Sequence, residues 1–545
     1  MWKVPDKRLA SAVKWAMFLW AGLLLARLFE LQILQHDIFS RFKIRQSRTI
    51  KTIEPRRGTI YDRKGRILAI SVPAYSAYAR KALTLEELER LRKVLGLSQR
   101  QIKYMLKRWE KGDRFTWIKR KILEDERERI RALGIDKIGF LTDYKRVYPQ
   151  GSLAAHILGA VGVDGDGLAG VEFSLDRVLG GKPGKMEVLR DARGFPMDIK
   201  TLVSPVPGRD VYLTLDLEVQ RVVERSLFAR ARSLRAPRAA AVVLNLKGEV
   251  LAMASYPSYR PSLYSKEFAR HPERIRNNAI SMVYEPGSTV KFMDMAMALQ
   301  EGKVKLSERI NCGGGRVRIG KTVIRDHRPF YVLPLADVLV HSSNVGIIRI
   351  TQRIEDKVFY SYLKAFNLGE KTGIELAGEE RGWVPRPELW RPATKAYFSI
   401  GQGFAVTPIQ MAAAALVVAS GGLWIRPHLL EAEVKTRKVL IPEVARRVAR
   451  MMVEVVRRGT GRKAYLPWLK VAGKTGTAEK IKGKLRAYTS SFVGFFPYPD
   501  PQFVVAVVVD EPRGQHYGGD VAAPIFRDIA LGLCRKVKLY PVVVR

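Results

Sequence analysis

The sequence predicts an α+β protein behind a single N-terminal membrane helix, and three observations carry that prediction. Residues 15–34, WAMFLWAGLLLARLFELQIL, form an apolar run of about the 20 residues that a helix needs to cross a bilayer core. Residues 35–202 mix hairpin, helix and turn signals in short stretches. From residue 203 to 545, amphipathic helical patterns alternate with β-favouring runs such as AAAVVLNLKGEVLAMAS (239–255) and PQFVVAVVVDEP (501–512). A chain of 545 residues exceeds one ordinary core, which suits a division into a tail (1–14), a span (15–34), a module (35–202) and a larger domain (203–545).

The span is read as a retained helix because no small-residue cleavage site follows it. Lys3, Lys7, Arg8 and Lys14 flank its short N-terminal end, which places that end in the cytoplasm and the bulk of the chain outside. Arg27 and Glu30 lie three apart near the far interface, where they can pair or snorkel. In the module, RRGTIYDRKGRILAISVPAYSAYA places the turn residues Asp62, Lys64 and Gly65 between β-favouring runs, a hairpin pattern. TLEELERLRKVL begins with Thr84 three residues before Glu87, a capping box, and sets Leu85, Leu88, Leu91 and Leu95 on one stripe. The charged segment 98–133 reads as further helix with a solvated face. The run 148–184 is punctuated by glycines and reads as turns linking short elements, since it lacks the strand, helix and lysine context of a phosphate loop.

The formal net charge of +42 raises the question of nucleic acid. The basic residues are spread over the whole chain, with no zinc-finger spacing, recognition helix or aromatic RNA-binding motif, so attraction to anionic lipid or cell-wall polymer is the better reading. Cys312 and Cys534 are far apart and read as two free thiols. The seven histidines form no ligand-like cluster, so neither a metal nor a cofactor is expected.

Three motifs in the larger domain point to chemistry. S-x-x-K occurs at Ser11/Lys14, Ser40/Lys43, Ser288/Lys291 and Ser361/Lys364, so alone it decides nothing, and Ser288 could be an ordinary helix N-cap. Ser342-Ser343-Asn344 is the one S-x-N in the chain, and Lys-Thr-Gly occurs at 371–373 and at 474–476, the latter followed by Thr477. A serine needs a nearby base and a site for the developing oxyanion. Spacing of three places Ser288 and Lys291 on one face of a first helical turn, within hydrogen-bond reach, and burial, Lys474 and the helix N-terminus all push Lys291 toward its neutral form.

Taken in order, these motifs resemble those of β-lactamases and penicillin-binding proteins. The chain is most similar to the class B, monofunctional penicillin-binding proteins: RRGTIYDRKGRILA resembles their N-terminal module, and EPGSTVK, SSNVG, SIGQGFAVTPIQ and GKTGTA resemble their transpeptidase. The run GVDGDGLAGVE and the compact C-terminus look more like the septal, division-specific branch than the elongation-specific one. The resemblance implies an elongated pedestal or dimerisation-type module. It also implies a C-terminal penicillin-binding domain of serine β-lactamase-like fold, a central antiparallel sheet flanked by helices.

It further implies that Ser288 attacks the carbonyl of a peptidoglycan stem ending in D-Ala-D-Ala while Lys291 takes its proton. Ser342 would relay a proton to the departing D-alanine, and Asn344 would hold the stem's amide. Lys474, Thr475 and Thr477, with Gly476 between them, would bind the terminal carboxylate. Backbone N–H groups of Ser288 and Thr477 would form the oxyanion hole. β-Lactams would acylate the same serine. By the same resemblance the partners are a polytopic glycosyltransferase of the shape, elongation, division and sporulation family, other division proteins and the cytoplasmic membrane. The competing readings are the elongation-specific branch and, from another class, a non-catalytic β-lactam receptor or division scaffold. Lys371-Thr372-Gly373 is read as an ordinary post-helix segment.

Overall fold

The computed structural model describes residues 7–35, 48–113, 115–190, 196–431, 433–482 and 485–536. It divides into two compact units, one of residues 1–56 with 181–208 and the other of residues 57–180 with 209–545. The smaller unit holds the apolar helix Lys7–Phe29, extended by one wider turn, Glu30–Leu34, and a three-stranded antiparallel sheet in the order Arg48–Ile53, Gly184–Arg190, Pro196–Val203. Residues Ser11–Leu34 are long and apolar enough to cross a membrane. Arg27 Nη1 meets Glu30 Oε2 at 2.6 Å, the pairing expected from their spacing.

In the larger unit the hairpin at Asp62 forms as expected. Ile60–Tyr61 pairs antiparallel with Ile67–Ala79, Asp62 Oδ1 accepts from the backbone N–H groups of Lys64 and Arg66, and Gly65 takes φ +74°, which glycine adopts without steric cost. The helix Leu85–Leu95 carries the full capping box of Thr84 and Glu87. Leu88, Leu91 and Leu95 are buried, whereas Leu85 at the first position is exposed and leaves the stripe. The charged segment 98–133 is not all helix. Between Gln99–Glu110 and Glu124–Arg131 lies the strand Thr116–Ile122, which pairs with Ile67–Ala79 and buries Thr116, Ile118 and Ile122 while Lys119, Arg120 and Lys121 stay half-exposed. The glycine-punctuated run folds into the short helices Ala155–Leu158, Gly170–Ser174 and Asp176–Leu179 around the small ladder Ala160–Val161 with Gly167–Ala169.

The centre of the larger unit is a five-stranded antiparallel sheet in the order Val250–Tyr256, Arg238–Leu244, Phe503–Asp510, Leu485–Phe496, Ala472–Lys482. Its inner strands read as unbroken apolar runs because both faces are covered. Ala240, Val242, Leu244, Val504, Ala506 and Val508 enter one core, while their neighbours Ala239, Ala241, Val243, Val505, Val507 and Val509 enter the other, the period of two of a β-strand. Helices Leu217–Ser233 and Gly518–Lys536 cover the second face. On the first face lies helix Pro408–Ala419, buried from Pro408 to Val418 and hence apolar on every side except at Gln410, whose amide donates to Glu370 O and Arg381 O. The strand Ala472–Lys482 is an edge of this sheet, and that position leaves it available to line a cleft.

Candidate active site

Pro286 and Gly287 open a short 3₁₀ turn, Gly287–Val290, that runs directly into the helix Lys291–Gln300. Ser288 sits inside this turn, half-buried, and the residue before the turn is Pro286, so Ser288 is not the N-cap. Gly287 has φ +57°, and a Cβ there would stand 2.8 Å from the carbonyl oxygen of Thr477. A Cβ on Gly476 would stand 2.6 Å from the carbonyl oxygen of Pro286. Glycine on both sides therefore lets the serine turn lie against the edge strand at backbone distance. The turn is also held from the other side: Gly287 N–H donates to Gly401 O at 2.9 Å, and Gly401 itself has φ +76°.

Lys291 is fully buried at the start of its helix. Its ammonium donates to Ser342 O at 2.6 Å, to Asn344 Oδ1 at 2.7 Å and to Ser342 Oγ at 3.3 Å. Ser288 Oγ is not among these partners, so the direct Ser288–Lys291 hydrogen bond expected from the spacing is replaced by bonds to the Ser342 loop. Burial pushes the Lys291 pKa down to about 7, against the opposing pull of the Asp326 and Asp294 charges. Lys474, also fully buried, donates to Ser342 Oγ at 2.9 Å and to Thr475 O at 3.0 Å. Its pKa falls well below the ordinary lysine range, first from burial and then from repulsion by Lys291. Ser342 thus offers one hydroxyl to two lysines, and it does so with φ +58°, a left-handed conformation that a serine holds only under constraint.

The constraint comes from Asp326, which belongs to none of the three sequence motifs. Its Oδ2 accepts from Ser343 Oγ at 2.8 Å, and its Oδ1 accepts from the backbone N–H groups of Asn344 and of Val345, the latter at 3.1 Å. These amides open the helix Asn344–Thr351, where a carboxylate is favoured by the helix dipole. Ser343 caps the same helix by accepting from Gly346 N–H at 2.9 Å, so of the three motif residues only Ser342 and Asn344 face the lysine. Asn344 Nδ2 donates to Arg325 O at 2.9 Å, which orients its oxygen toward Lys291.

On the edge strand, Thr475 Oγ1 and Thr460 Oγ1 are 2.8 Å apart, and Thr477 Oγ1 accepts from Gly518 N–H at 2.9 Å. Beyond Thr477, a cavity lined by Glu285, Trp383, Tyr397, Phe398, Gln402 and Glu479 opens beside the serine turn.

The structure separates the decoys from this cluster. Ser361 is exposed and donates to Val358 O, and Lys364 is engaged by Glu370. Thr372 donates its N–H and hydroxyl to Glu379, while Lys371 is exposed. Ser11 is exposed on the apolar helix, and Ser40 lies outside the described residues. Cys312 and Cys534 are buried and free, as expected.

Residues 239–531 match the family of the penicillin binding protein transpeptidase domain, and residues 52–213 match the penicillin-binding protein dimerisation domain. The chain belongs to the class B penicillin-binding proteins. Among its relatives, the probable peptidoglycan D,D-transpeptidase PbpC of Pseudomonas aeruginosa is 33% identical over 527 residues, covering 94% of this chain and 93% of the relative. The peptidoglycan D,D-transpeptidase FtsI of Escherichia coli K12 is 31% identical, covering 98% and 93%. Penicillin binding protein 3 of Mycobacterium tuberculosis, solved in complex with aztreonam, superposes with a TM-score of 0.70 at 27% identity and covers 90% of this chain and 98% of its own. Ser288, Ser342, Asn344 and the edge strand all fall within the transpeptidase match, and the Asp62 hairpin falls within the dimerisation match.

Proposed function

We propose that this protein is a septal peptidoglycan D,D-transpeptidase that cross-links stem peptides through an acyl-enzyme on Ser288. The observation that carries the proposal is the convergence of Lys291 and Lys474 on the Ser342 hydroxyl beside the serine turn.

In this reading neutral Lys291 removes the Ser288 proton as Oγ bonds to the carbonyl carbon of a D-Ala-D-Ala stem. The carbonyl electrons move onto oxygen, in front of the N–H groups of Ser288 and Thr477. Collapse of this intermediate breaks the C–N bond, and the departing D-alanine nitrogen takes the proton from Lys291 through Ser342 Oγ, which already bridges the two lysines. Asn344 positions the stem's amide, and Lys474, Thr475, Gly476 and Thr477 receive the terminal carboxylate. An amine of a second stem then attacks the ester carbonyl carbon and gives its proton to Lys291, which returns it to Ser288 Oγ as the C–O bond breaks. A β-lactam offers an equivalent carbonyl and stops the enzyme at the acyl stage.

The span Ser11–Leu34 would anchor the chain once in the cytoplasmic membrane with the domain from about residue 203 outside it. The region 35–202 would face partners, among them a polytopic glycosyltransferase of the shape, elongation, division and sporulation family. The septal assignment rests on GVDGDGLAGVE and on similarity to FtsI.

The decisive experiment is mass spectrometry of the penicillin adduct in the full chain and in Ser288→Ala and Ser361→Ala. The adduct should map to Ser288, vanish in the first variant and persist in the second. Labelling that survives Ser288→Ala would sink the assignment. Depletion in the host should give filaments, and round cells would place the enzyme in elongation instead.

A further inference from the structure

The strands Arg316–Ile319 and Thr322–Arg325 form a two-stranded antiparallel hairpin in which Arg316 stands opposite Arg325 and Arg318 opposite Val323. Between them the pair Val317 and Ile324 joins the main core, as does Ile319. The strand period of two therefore leaves an outer face of Arg316, Arg318, Val323 and Arg325, all exposed. Lys321 adds a fourth exposed cation at the tip, after Gly320 with φ +57°.

Like charges directly opposite each other weaken an antiparallel pair, and a two-stranded hairpin has little stability to lose. Residues 309–325 include no acidic residue to offset the repulsion. Among the described residues none of Arg316, Arg318, Lys321 and Arg325 takes part in an ion pair. The surface helix Pro442–Arg458 shows the contrast, since Arg446, Arg447, Arg457 and Arg458 each meet Glu443 or Glu454. The hairpin keeps a destabilising cluster of unpaired cations, which suits a site for an anion.

Its base is bonded to the candidate active site. Asp326 N–H donates to Gly315 O at 2.9 Å and closes the hairpin, while the Asp326 carboxylate holds the Ser343–Val345 segment. Asn344 Nδ2 donates to Arg325 O at 2.9 Å. At about 3.4 Å per residue, Lys321 at the tip stands roughly 15 Å along the strand from this anchorage.

That attachment favours the substrate strand over a lipid surface as the source of the anion. A stem that awaits cross-linking ends in a free carboxylate, and a nascent strand repeats the stem along its length. The strand is therefore a polyanion of which the cleft engages one stem at a time. We propose that the outer face of the hairpin is an exosite for carboxylates of the other stems, which holds the uncross-linked strand while Ser288 works on one of them. No bond forms or breaks there. Tethering raises the local concentration of stems at the cleft without a new contact to the reacting carbonyl.

The proposal rests on the transpeptidase reading of Ser288, and the test keeps the two apart. The full chain in phosphatidylcholine nanodiscs is compared with Arg316→Gln/Arg318→Gln/Lys321→Gln and with Arg316→Lys/Arg318→Lys. Binding of fluorescent uncross-linked strands is measured over a range of salt concentrations, beside penicillin labelling and melting temperature. The glutamine variant should bind strands at least about tenfold more weakly, with a shallower salt dependence. It should label with penicillin at the parental rate and melt at or above the parent's temperature, because opposed like charges have been removed. The lysine variant should bind like the parent, since point charges suffice for carboxylates spread along a polymer. Strands stripped of their stems by an amidase should bind the parent and the glutamine variant alike.

Parental strand affinity in the glutamine variant, or an equal loss on stripped strands, would overturn the exosite. Loss of binding to phosphatidylglycerol vesicles with strand affinity kept would overturn it too, by making the face a lipid contact. Slower penicillin labelling at the parental melting temperature would do the same, by making the hairpin part of the Ser288 cluster. Should the glutamine variant melt early, Lys321→Glu at the exposed tip carries the same comparison, with about a threefold loss of strand affinity expected. Labelling that survives Ser288→Ala would instead remove the transpeptidase reading, whereas strand binding stands or falls on the hairpin alone.

Discussion

Two buried lysines sharing one serine hydroxyl make protonation the controlling variable at the scale of single residues. In the proposed mechanism Lys291 acts as a base only when neutral, and its pKa lies at about 7 because burial outweighs the neighbouring carboxylates. Acylation by labelled penicillin should therefore rise through neutral pH and fall about tenfold per pH unit below it, as the ammonium form takes over. A pH-independent rate across that range would show that the proton leaves by another path. Lys291→Arg should be inactive at every pH, since a guanidinium stays protonated. The two Lys-Thr-Gly strings separate in the same assay. Lys474→Ala removes a buried lysine from the edge strand and should weaken acylation by about 1.5–3 kcal/mol, whereas the exposed Lys371→Ala should change it little. Equal effects would show that the cleft lies elsewhere.

At the scale of elements, the serine turn is held between two backbones. A Cβ on Gly401 would lie 2.0 Å from the Gly287 carbonyl oxygen, so Gly401→Ala must displace the turn that carries Ser288. Acylation should drop at least about tenfold, and the melting temperature should fall. Gly302 also has a positive φ, but nothing lies within 4 Å of its would-be Cβ, so Gly302→Ala should cost only backbone strain, about 1 kcal/mol, and leave acylation intact. Local signals made several of these elements legible in advance. Thr84 and Glu87 wrote their capping box into four residues, Asp62 and Gly65 wrote their turn, and the serine and lysine motifs picked out Lys291, Ser342, Asn344 and Lys474, which the fold brings into one hydrogen-bonded cluster. What could not be read was set at long range. Asp326 lies in a loop with no periodicity, and its partners are 17 to 19 positions away. The strand Thr116–Ile122 sits in a segment whose charge density reads as solvated helix, because burial of Thr116, Ile118 and Ile122 shows only once Ile67–Ala79 lies beside it. The hydrogen bonds of Lys291 follow the same rule, since spacing alone could offer Ser288 and could not offer a loop 51 residues on.

At the scale of the whole molecule, the two family matches do not correspond to two separate cores. Ile60, Leu68, Ile157, Leu158 and Val171 share one hydrophobic cluster with Leu217, Phe292 and Val508. Arg66 Nη2 meets Asp216 Oδ1 at 2.8 Å, and Asp62 Oδ2 accepts from Leu217 N–H at 3.2 Å, so the hairpin caps the helix Leu217–Ser233, which lies between the two matches. A fragment starting near Val203 loses that cover, and it should be labile or aggregate, while a chain starting just after the apolar helix should fold and label. Normal labelling by a stable Val203 fragment would show the shared core to be dispensable. Deeper in the dimerisation half, Glu172 is fully buried between Arg57 at 2.6 Å and Arg146 at 2.7 Å. Glu172→Gln leaves the buried Arg146 without its carboxylate and Arg57 with Asp176 alone, and should cost about 3–5 kcal/mol in thermal or denaturant unfolding. Labelling per folded molecule should be kept, because Glu172 lies far outside the Ser288 cluster in the hydrogen-bond network.

The edge position of the strand Ala472–Lys482 carries a consequence for adaptation. Among the described residues no strand pairs with its outer side, so an extended peptide laid there is read through its own amide groups. Backbone recognition cannot be edited one side chain at a time. A drug that presents an amide to this edge imitates the part of the substrate that the protein is least free to stop recognising. Escape by substitution then has to work on neighbouring surfaces, on the mobility of the serine turn or on the fate of the acyl bond, and each of these also burdens the native reaction.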